Sequence, residues 1–215
     1  MIPVTAPLIR DANLSDASAV NATLTAAFLN GDLAPWLVPD LDDRKRIYPE
    51  YFAMLTAHAL QHGRIQIAGD GHGVAVWYVH RPRNPIPPIP NYTSRLAEIT
   101  APYAAYFTAL DDAMHRNHPS MELHHYLALL AVHPDRQGQG YGSSLLSHRH
   151  SWLDTAGTPA YLEATGTRNL RLYLRHGYQS RRTFTIARGA PTLRPMWRPA
   201  GSVGVTIRAA VPRQR

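Results

Sequence analysis

The chain has 215 residues, of which 45% are apolar and 17% charged, and it contains no cysteine. A chain of this length suits one domain that buries most of its apolar surface. The lack of cysteine excludes disulfides, thiolate nucleophiles and zinc sites built on sulfur. The formal net charge is +7, yet the arginines are scattered rather than clustered, so we do not expect nucleic-acid binding. A basic excess of this size also suits the steering of a polyanionic small molecule.

The N-terminal part of the chain predicts one short strand followed by two helices. Residues 8–10 predict the strand, and the polar residues 13–16 offer caps for a helix over Ala17–Phe28. A second helix is predicted over residues 44–62, interrupted or kinked at Pro49. The chain does not start with a basic stretch and an apolar core, and no apolar run approaches about 20 residues. We therefore expect a cytoplasmic protein without a membrane partner.

A β-hairpin, a proline-rich connector and a third helix are predicted next. Residues 64–68 and 73–80 have strand composition and flank a turn at residues 69–71. Residues 81–90 carry five prolines, which favour an extended connector over a recognition motif. A helix over residues 100–117 then leads into the central strand.

The most informative stretch is residues 127–146. Residues 127–132 form an uninterrupted apolar run before Pro134, which is typical of a strand buried on both faces. From Ser143 onward the apolar residues recur at helical spacing. Three alternating glycines lie between the strand and the helix. Because the first N–H groups of a helix lack acceptors and its macrodipole favours negative charge, this turn predicts an anion site.

Two kinds of nucleotide site use a strand, a glycine turn and a helix in this way. A P-loop requires a lysine after its last glycine, and the single lysine of the chain is Lys45, far upstream. A dinucleotide site requires Gly-x-Gly-x-x-Gly with an acidic residue about 20 positions later. Here the spacing is Gly138-x-Gly140-x-Gly142, and Glu163 lies near the expected acid, so this alternative stays open. The turn could also join strand and helix without binding a ligand.

Two segments together resemble a known family. The pattern Gln-x-x-Gly-x-Gly at residues 137–142, directly after an apolar strand, resembles the acetyl-CoA motif of the GNAT superfamily of N-acetyltransferases. A short strand is predicted at residues 160–165. The segment 169–178 then looks like the family's asparagine, tyrosine and glycine-aromatic segment at its usual spacing. The shared pattern begins at residues 75–77, an Ala-Val-Trp strand, and continues through residues 127–178.

The resemblance implies a fold and a domain organisation. The fold would be α/β (α+β), with a central mixed, mostly antiparallel sheet of six to seven strands, splayed between strands 4 and 5 and flanked by helices. A single acetyltransferase domain would occupy residues 1–198, followed by a C-terminal extension of unknown role, residues 199–215. Residues 180–187 and 193–198 would form the last strands, and residues 203–209 have strand-like composition.

The resemblance also implies acetyl-CoA as the acyl donor, with no metal. Unpaired backbone groups at the splay would bond the pantetheine arm, and one N–H there would serve as oxyanion donor. The N-terminus of the helix after the glycine turn would hold the pyrophosphate. The residues implied in donor binding are Leu130, Ala131, Val132, Arg136, Gln137, Gly138, Gln139, Gly140, Tyr141, Gly142, Ser143, Asn169 and Tyr173.

Three residues are candidates for proton transfer. Tyr173 matches the family's general acid, and a phenol with a reference pKa of about 10 is protonated at neutral pH. Glu163 and His124 are the candidate general bases, and a water chain is a further alternative. The two-residue period of a strand would place His124 on one face with Tyr126 and Leu130.

The first two helices and their loop line the acceptor pocket in this family. The implied acceptor residues are Trp36, Tyr48, Tyr51 and Phe52, together with Tyr126 on the central strand. We expect an N-acetyltransferase that transfers an acetyl group directly to a primary amine of a small molecule, an antibiotic-like compound or a metabolite. The alternative is a non-catalytic acyl-CoA-binding sensor or structural module with the same fold. The protein is expected to be a monomer or a homodimer.

Overall fold

The computed structural model describes residues 7–201, which form seven α-helices and eight β-strands. The helices are α1 (Ala17–Phe28), α2 (Ala34–Leu37), α3 (Leu41–His62), α4 (Tyr92–Thr100), α5 (Ala104–Asn117), α6 (Tyr141–Thr155) and α7 (Gly166–Arg175). The strands are β1 (Ile9–Asp11), β2 (Arg64–Ala68), β3 (Gly73–His80), β4 (His124–Val132), β5 (Ala160–Ala164), β6 (Gln179–Ser180), β7 (Phe184–Thr185) and β8 (Thr192–Arg198).

The strands form one open, mixed sheet in the order β1-β2-β3-β4-β5-β8-β6, with β7 paired to β8. Every pair is antiparallel except β4 with β5. The predicted fold class is confirmed. The sheet has one strand more than the expected six to seven, because the segment predicted as a single strand at residues 180–187 contains two short pairings with β8.

The sheet is splayed at its parallel pair. β4 and β5 pair only through His125 with Ala160 and through Tyr126 with Tyr161. From Leu127 onward β4 pairs with β3 alone, so the predicted opening between strands 4 and 5 is present. Backbone groups along this edge of β4 are therefore available to a ligand.

β4 carries one extra residue opposite β3. Val76 of β3 pairs with Leu129, whereas the next residue, Trp77, pairs with Leu127. Ala128 is therefore a β-bulge, and the alternation of side chains between the two faces inverts across it.

The bulge corrects one expectation about the central strand. A strict two-residue period would place His124, Tyr126 and Leu130 on one face. Instead Leu127 and Leu130, three residues apart, pack into the same core. The expected face is wrong for Leu130, because composition does not reveal a bulge.

The two faces of the sheet carry separate apolar cores. Helices α1 to α5 contribute to one core, in which Leu24, Ile47 and Phe107 are buried. Helices α6 and α7 contribute to the other, in which Leu145 and Leu146 are buried. Burial of each such side chain contributes about 1.5–3 kcal/mol, so the sheet is held from both sides.

Two helices differ from the sequence prediction. α3 begins at Leu41, three residues earlier than expected, because the Asp40 carboxylate accepts hydrogen bonds from the backbone N–H groups of Asp42 and Asp43 at 2.9 and 2.8 Å. It continues through Pro49 without interruption. The helix predicted over residues 100–117 is present as α5, which begins at Ala104. An additional helix, α4, precedes it across a cis peptide bond between Ala101 and Pro102.

The longest described helix is α3, with 22 residues, and it is not apolar enough to cross a membrane; the same holds for every other helix within residues 7–201. The strand-like segment 203–209, and with it nearly all of the predicted C-terminal extension, lies outside the described residues.

Candidate active site

A cavity of about 650 Å³ lies where β4 and β5 separate. The open edge of β4, the glycine turn before α6 and one side of α7 line part of it. Aromatic side chains from α3 and α5 line the remainder. All the site residues predicted from the sequence line this cavity except His124, Gln139 and Trp36.

The glycine turn has the backbone geometry that an anion site requires. Gly138 and Gly140 have φ angles of 82° and 88°, in the left-handed region that favours glycine. Gly140 is the N-cap of α6 and has no side chain that could occupy the first N–H groups of the helix. These N–H groups remain available to a phosphate, and the helix macrodipole adds to the attraction.

Gln137 ties the turn to its neighbours. Its side-chain amide donates to the carbonyl oxygen of Val132 on β4 at 3.2 Å, and its Oε1 accepts from Nη1 of Arg168 on α7 at 2.9 Å. Arg168 and Arg136 both line the cavity beside the turn. This end of the cavity is therefore suited to a ligand with several negative charges.

Tyr173 projects from α7 into the cavity. Its side chain is 8% exposed, and burial raises the pKa of its phenol well above the ordinary value. The phenol is therefore fully protonated at neutral pH and can donate a proton to an anionic leaving group.

Glu163 is the carboxylate of β5 that lines the cavity. Its side chain is 2% exposed, and its Oε1 has no hydrogen-bond partner among residues 7–201. Nδ1 of His118 lies 3.8 Å from this oxygen. Burial, reinforced by the Glu163 carboxylate, raises the pKa of both Tyr126 and Tyr161. A buried carboxylate oxygen without a hydrogen-bond partner is unusual, and this one belongs to a residue that lines the cavity.

His124 does not meet the cavity, and its placement does not support the predicted role of general base. It is fully buried, its Nδ1 bonds to the carbonyl oxygen of Glu122 at 2.8 Å, and its Nε2 lies 3.0 Å from Nε2 of His118. Burial lowers its pKa to about 4. Strand alternation indicated the correct face for His124 but not how far the ring is from the cavity.

The aromatic end of the cavity contains most of the predicted acceptor residues. Tyr48, Tyr51, Phe52 and Tyr126 all line it. Burial raises the pKa of Tyr48 to about 12, so its phenol is neutral at physiological pH. Trp36 is the exception, since it packs edge-on against Tyr106 at a ring distance of 5.2 Å outside the cavity lining.

Gln139 points away from the predicted donor site. Its side-chain amide donates to the carbonyl oxygen of Asp135 at 3.2 Å, within the loop that precedes α6. Gln139 therefore stabilises the loop by this hydrogen bond, while its neighbours Gly138 and Gly140 line the cavity.

The central part of the chain matches a known protein family. The sequence model described as the acetyltransferase (GNAT) domain matches residues 103–180, which include β4, the glycine turn, α6, β5 and α7. The chain has the GNAT fold. The matched segment holds the donor side of the cavity together with Glu163 and Tyr173.

Solved structures resemble the whole chain. A histone acetyltransferase HPA2 and related acetyltransferase from Corynebacterium glutamicum is 25% identical, with a TM-score of 0.71 over 97% of this chain and 99% of that one. The ribosomal-protein-S18-alanine N-acetyltransferase from Escherichia coli is 14% identical, with a TM-score of 0.54 over 93% and 97%. A mosquito arylalkylamine N-acetyltransferase like 5b is 16% identical, with a TM-score of 0.53 over 89% and 99%. The GNAT neighbours of this chain are thus N-acetyltransferases.

Several residues of this GNAT cavity were not predicted from the sequence. Asp111 of α5 lines the acceptor end, its Oδ2 accepts from the Tyr92 hydroxyl at 2.7 Å, and burial raises its pKa. Arg168 contacts the glycine turn from α7. None of these residues stands out by local spacing, because each is brought to the cavity by a contact distant in sequence.

Proposed function

We propose that the protein is an acetyl-CoA-dependent N-acetyltransferase that transfers an acetyl group directly to a primary amine of a small molecule. The observation that carries this proposal is one cavity that joins the glycine turn, the open edge of β4, a buried carboxylate and a protonated phenol. The first two bind the donor. The last two are the proton acceptor and the proton donor that the reaction requires.

The donor end of the cavity fits acetyl-CoA. The turn before α6 offers free N–H groups for the pyrophosphate, and Arg136 and Arg168 add positive charge. The edge of β4 at Leu130, Ala131 and Val132 is unpaired toward β5, so it can bond the pantetheine amides as a neighbouring strand would. One backbone N–H of this edge would stabilise the oxyanion, a contribution of roughly 3–4 kcal/mol in the transition state.

Glu163 and Tyr173 divide the proton transfers between them. Glu163 takes a proton from the amine, whose nitrogen then forms the new C–N bond. Tyr173 gives its proton to the sulfur as the C–S bond breaks. Because the chain has no cysteine, an acetyl-thioester intermediate on the protein is excluded. Acyl transfer must then use another nucleophile or be direct, and we propose the direct route.

The acceptor end favours an amine on an aromatic or apolar body. Tyr48, Tyr51 and Phe52 supply aromatic surface. Asp111 and Glu163 supply carboxyl groups that suit an ammonium ion. The sequence from residues 75–77 through 127–178 also resembles puromycin N-acetyltransferase, which has a glutamate at the point that matches Glu163. Among the structural neighbours, the mosquito enzyme is named for arylalkylamines, which have this chemistry.

The proposal is tested by thiol release from acetyl-CoA with a panel of amines. The panel begins with puromycin, continues with arylalkylamines and simple alkylamines, and includes a peptide with a free N-terminus. We expect amine-dependent thiol release, with the aromatic amines turned over best. CoA binding without amine-dependent turnover would contradict the proposal and would identify a sensor. Turnover of the peptide alone would replace the small-molecule acceptor with a protein N-terminus.

A further inference from the structure

Three histidines that are distant in sequence meet outside the cavity. His80 ends β3, His124 begins β4 and pairs with His80 in the sheet, and His118 follows α5. One ring nitrogen from each residue lies within 4.8 Å of the others. None of the three lines the cavity, and within residues 7–201 this is the one cluster of three or more histidine or acidic side chains with such spacing.

Each ring has a carbonyl or carboxylate oxygen near one of its nitrogens. His80 Nε2 lies 3.1 Å from the carbonyl oxygen of Ser120, and His124 Nδ1 lies 2.8 Å from that of Glu122. His118 Nδ1 lies 3.8 Å from the Glu163 carboxylate. An N–H directed at a carbonyl or carboxylate leaves a lone pair on the opposite ring nitrogen. This is the arrangement in which histidines bind metal ions in proteins.

The rings form a nearly equilateral triangle. The three centroid separations are 4.7 Å for His80 with His124, 5.0 Å for His118 with His124 and 5.1 Å for His80 with His118. Three imidazoles on one tetrahedral ion, with metal–nitrogen bonds of about 2.0–2.1 Å, would have centroids roughly 5 Å apart. The observed centroid separations agree with that geometry. The ligand nitrogens lie within 4.8 Å of one another, so they would move to about 3.3 Å apart around an ion.

We propose that His80, His118 and His124 form a binding site for one divalent transition-metal ion, with Zn²⁺ as the preferred occupant. Three imidazole ligands suit zinc and other late first-row metals, whereas Ca²⁺ and Mg²⁺ require oxygen ligands. Among the described residues three protein ligands converge, so a water molecule would complete the tetrahedron. The ion would take the place of the hydrogen bond between Nε2 of His118 and Nε2 of His124, which lie 3.0 Å apart.

The site would connect the ion to the active-site carboxylate through one ring. His118 stands between the cluster and Glu163, whose Oε1 has no hydrogen-bond partner among the described residues. With its Nε2 on the metal, His118 would donate Nδ1–H toward Glu163 and fix the orientation of that carboxylate. The negative charge of Glu163 favours a cation here, and it offsets the opposing charge of Arg181, which stacks on Trp197.

The experiment measures metal binding by the untagged, full-length protein after chelator treatment, without acetyl-CoA or amine. Co²⁺ and then Zn²⁺ are titrated into the parent and into His80→Ala, His118→Ala and His148→Ala. His148 is an exposed histidine of α6 and serves as the matched control. We expect one ion per chain and the visible spectrum of tetrahedral Co²⁺ in the parent and in His148→Ala.

His80→Ala and His118→Ala should bind the metal ion at least about 100-fold more weakly than the parent. Loss of a residue that only hydrogen-bonds to a metal ligand lowers metal affinity by about 10–100-fold, and loss of the ligand itself should lower it further. Zn²⁺ should also raise the melting temperature of the parent and of His148→Ala, but not of the two cluster variants. Equal affinity in the parent and in His118→Ala would overturn the proposal, as would a parent that gives no tetrahedral Co²⁺ spectrum. Neither readout depends on catalysis, so failure of the acetyltransferase assay leaves this test intact.

Discussion

At the scale of single residues, burial assigns different roles to two ionisable side chains in one cavity. Tyr173 is held as a neutral phenol, because burial disfavours its charged form and raises its pKa. Glu163 lies in the same cavity with an oxygen that no described residue satisfies. In the proposed reaction Tyr173 is the proton donor and Glu163 the proton acceptor.

Removal of the Tyr173 hydroxyl should separate binding from turnover. In Tyr173→Phe the ring keeps its packing, so the fold and the KM for acetyl-CoA should change little. Loss of a general acid typically lowers kcat by roughly 10²–10⁴-fold. Steady-state kinetics with the best amine across about pH 6 to 9 provide the measurement. Tyr106→Phe is the matched control, because Tyr106 is 42% exposed and does not line the cavity. Parental kcat in Tyr173→Phe would make Tyr173 a packing residue.

Replacement of Glu163 should slow the reaction from the acceptor side. Glu163→Gln keeps the shape of the side chain but cannot accept the proton of the amine, so kcat/KM for the amine should fall by roughly 10²–10⁴-fold. CoA affinity, measured by calorimetry, should stay near the parental value. Glu98→Gln, on the exposed side of α4, controls for the loss of one negative charge. Unchanged kcat/KM in Glu163→Gln would leave a water chain as the base.

The sequence predicted site residues where they belong to a local pattern and missed them where they do not. Tyr173 and Gly140 lie in motifs with fixed spacing, and both line the cavity. Asp111 lines the cavity, and His118 lies 3.8 Å from Glu163, only because α5 and the loop after it fold back onto the sheet. Contacts of this kind depend on tertiary packing, which spacing along one chain does not encode.

At the scale of elements, the best predictions came from strong local signals. The bounds of α1, β2 and β3 agree with the sequence prediction, because polar caps and a glycine turn mark their ends. α4 was missed because five prolines precede it and its N-cap, Asn91, has a left-handed backbone with φ 53° and no side-chain cap bond. The bulge at Ala128 was also missed, since it depends on pairing with β3.

The glycine turn gives a prediction that distinguishes backbone strain from ligand obstruction. Gly142 lies inside α6, and an added Cβ would meet Leu172 at 3.5 Å, an ordinary contact, so Gly142→Ala should fold with parental or higher stability. Because the same Cβ enters the cavity wall, CoA affinity should fall by at least about tenfold, or 1.4 kcal/mol. Calorimetry with CoA provides the measurement.

Gly140→Ala and Gly157→Ala form a matched pair for the same question. Both glycines have positive φ, 88° and 61°, and no atom lies within 4 Å of an added Cβ in either. Each substitution should therefore cost about 1–2 kcal/mol of stability in urea unfolding. Only Gly140 lines the cavity, so only Gly140→Ala should also lose CoA affinity. Full CoA affinity in both Gly140→Ala and Gly142→Ala would refute the donor site.

At the scale of the whole molecule, one ion pair fastens β8, the last strand within residues 7–201, to the helix that follows the glycine turn. Arg198 of β8 donates two hydrogen bonds of 2.7 Å to the Asp154 carboxylate of α6. Its Nε also donates to the carbonyl oxygen of His176, after α7, at 3.1 Å. The two side chains are 4% and 12% exposed. The Arg198 side chain therefore joins β8 to the end of α6 and to the residue that follows α7.

This pair should make stability depend on pH in the acid range. Hydrogen bonds from Arg198 hold the pKa of Asp154 below its ordinary value of about 3.9 in the unfolded chain. Because the pKa of Asp154 is lower in the folded than in the unfolded protein, the pair stabilises the fold fully above the unfolded-state pKa. This stabilisation is lost as the pH falls through the folded-state pKa. Asp154→Asn should thus lose about 3 kcal/mol at pH 7, because the Arg198 charge stays buried and unpaired. The difference in unfolding free energy between Asp154→Asn and the parent should become smaller below about pH 4.

Urea unfolding of both proteins from about pH 7 to pH 3 provides the measurement. Asp42→Asn is the control, because its pair with Lys45 at 2.7 Å is solvent-exposed, with Asp42 87% accessible, and such pairs contribute about 1 kcal/mol or less. An Asp154→Asn protein that unfolds like Asp42→Asn at pH 7 would mean that α6 and β8 are held by their apolar contacts alone. If the difference in unfolding free energy between Asp154→Asn and the parent stayed constant down to pH 3, the charge of Asp154 would not be its cause. The cause would then be the geometry of the side-chain hydrogen bonds, because protonated Asp154 would hold Arg198 as well as ionised Asp154 does.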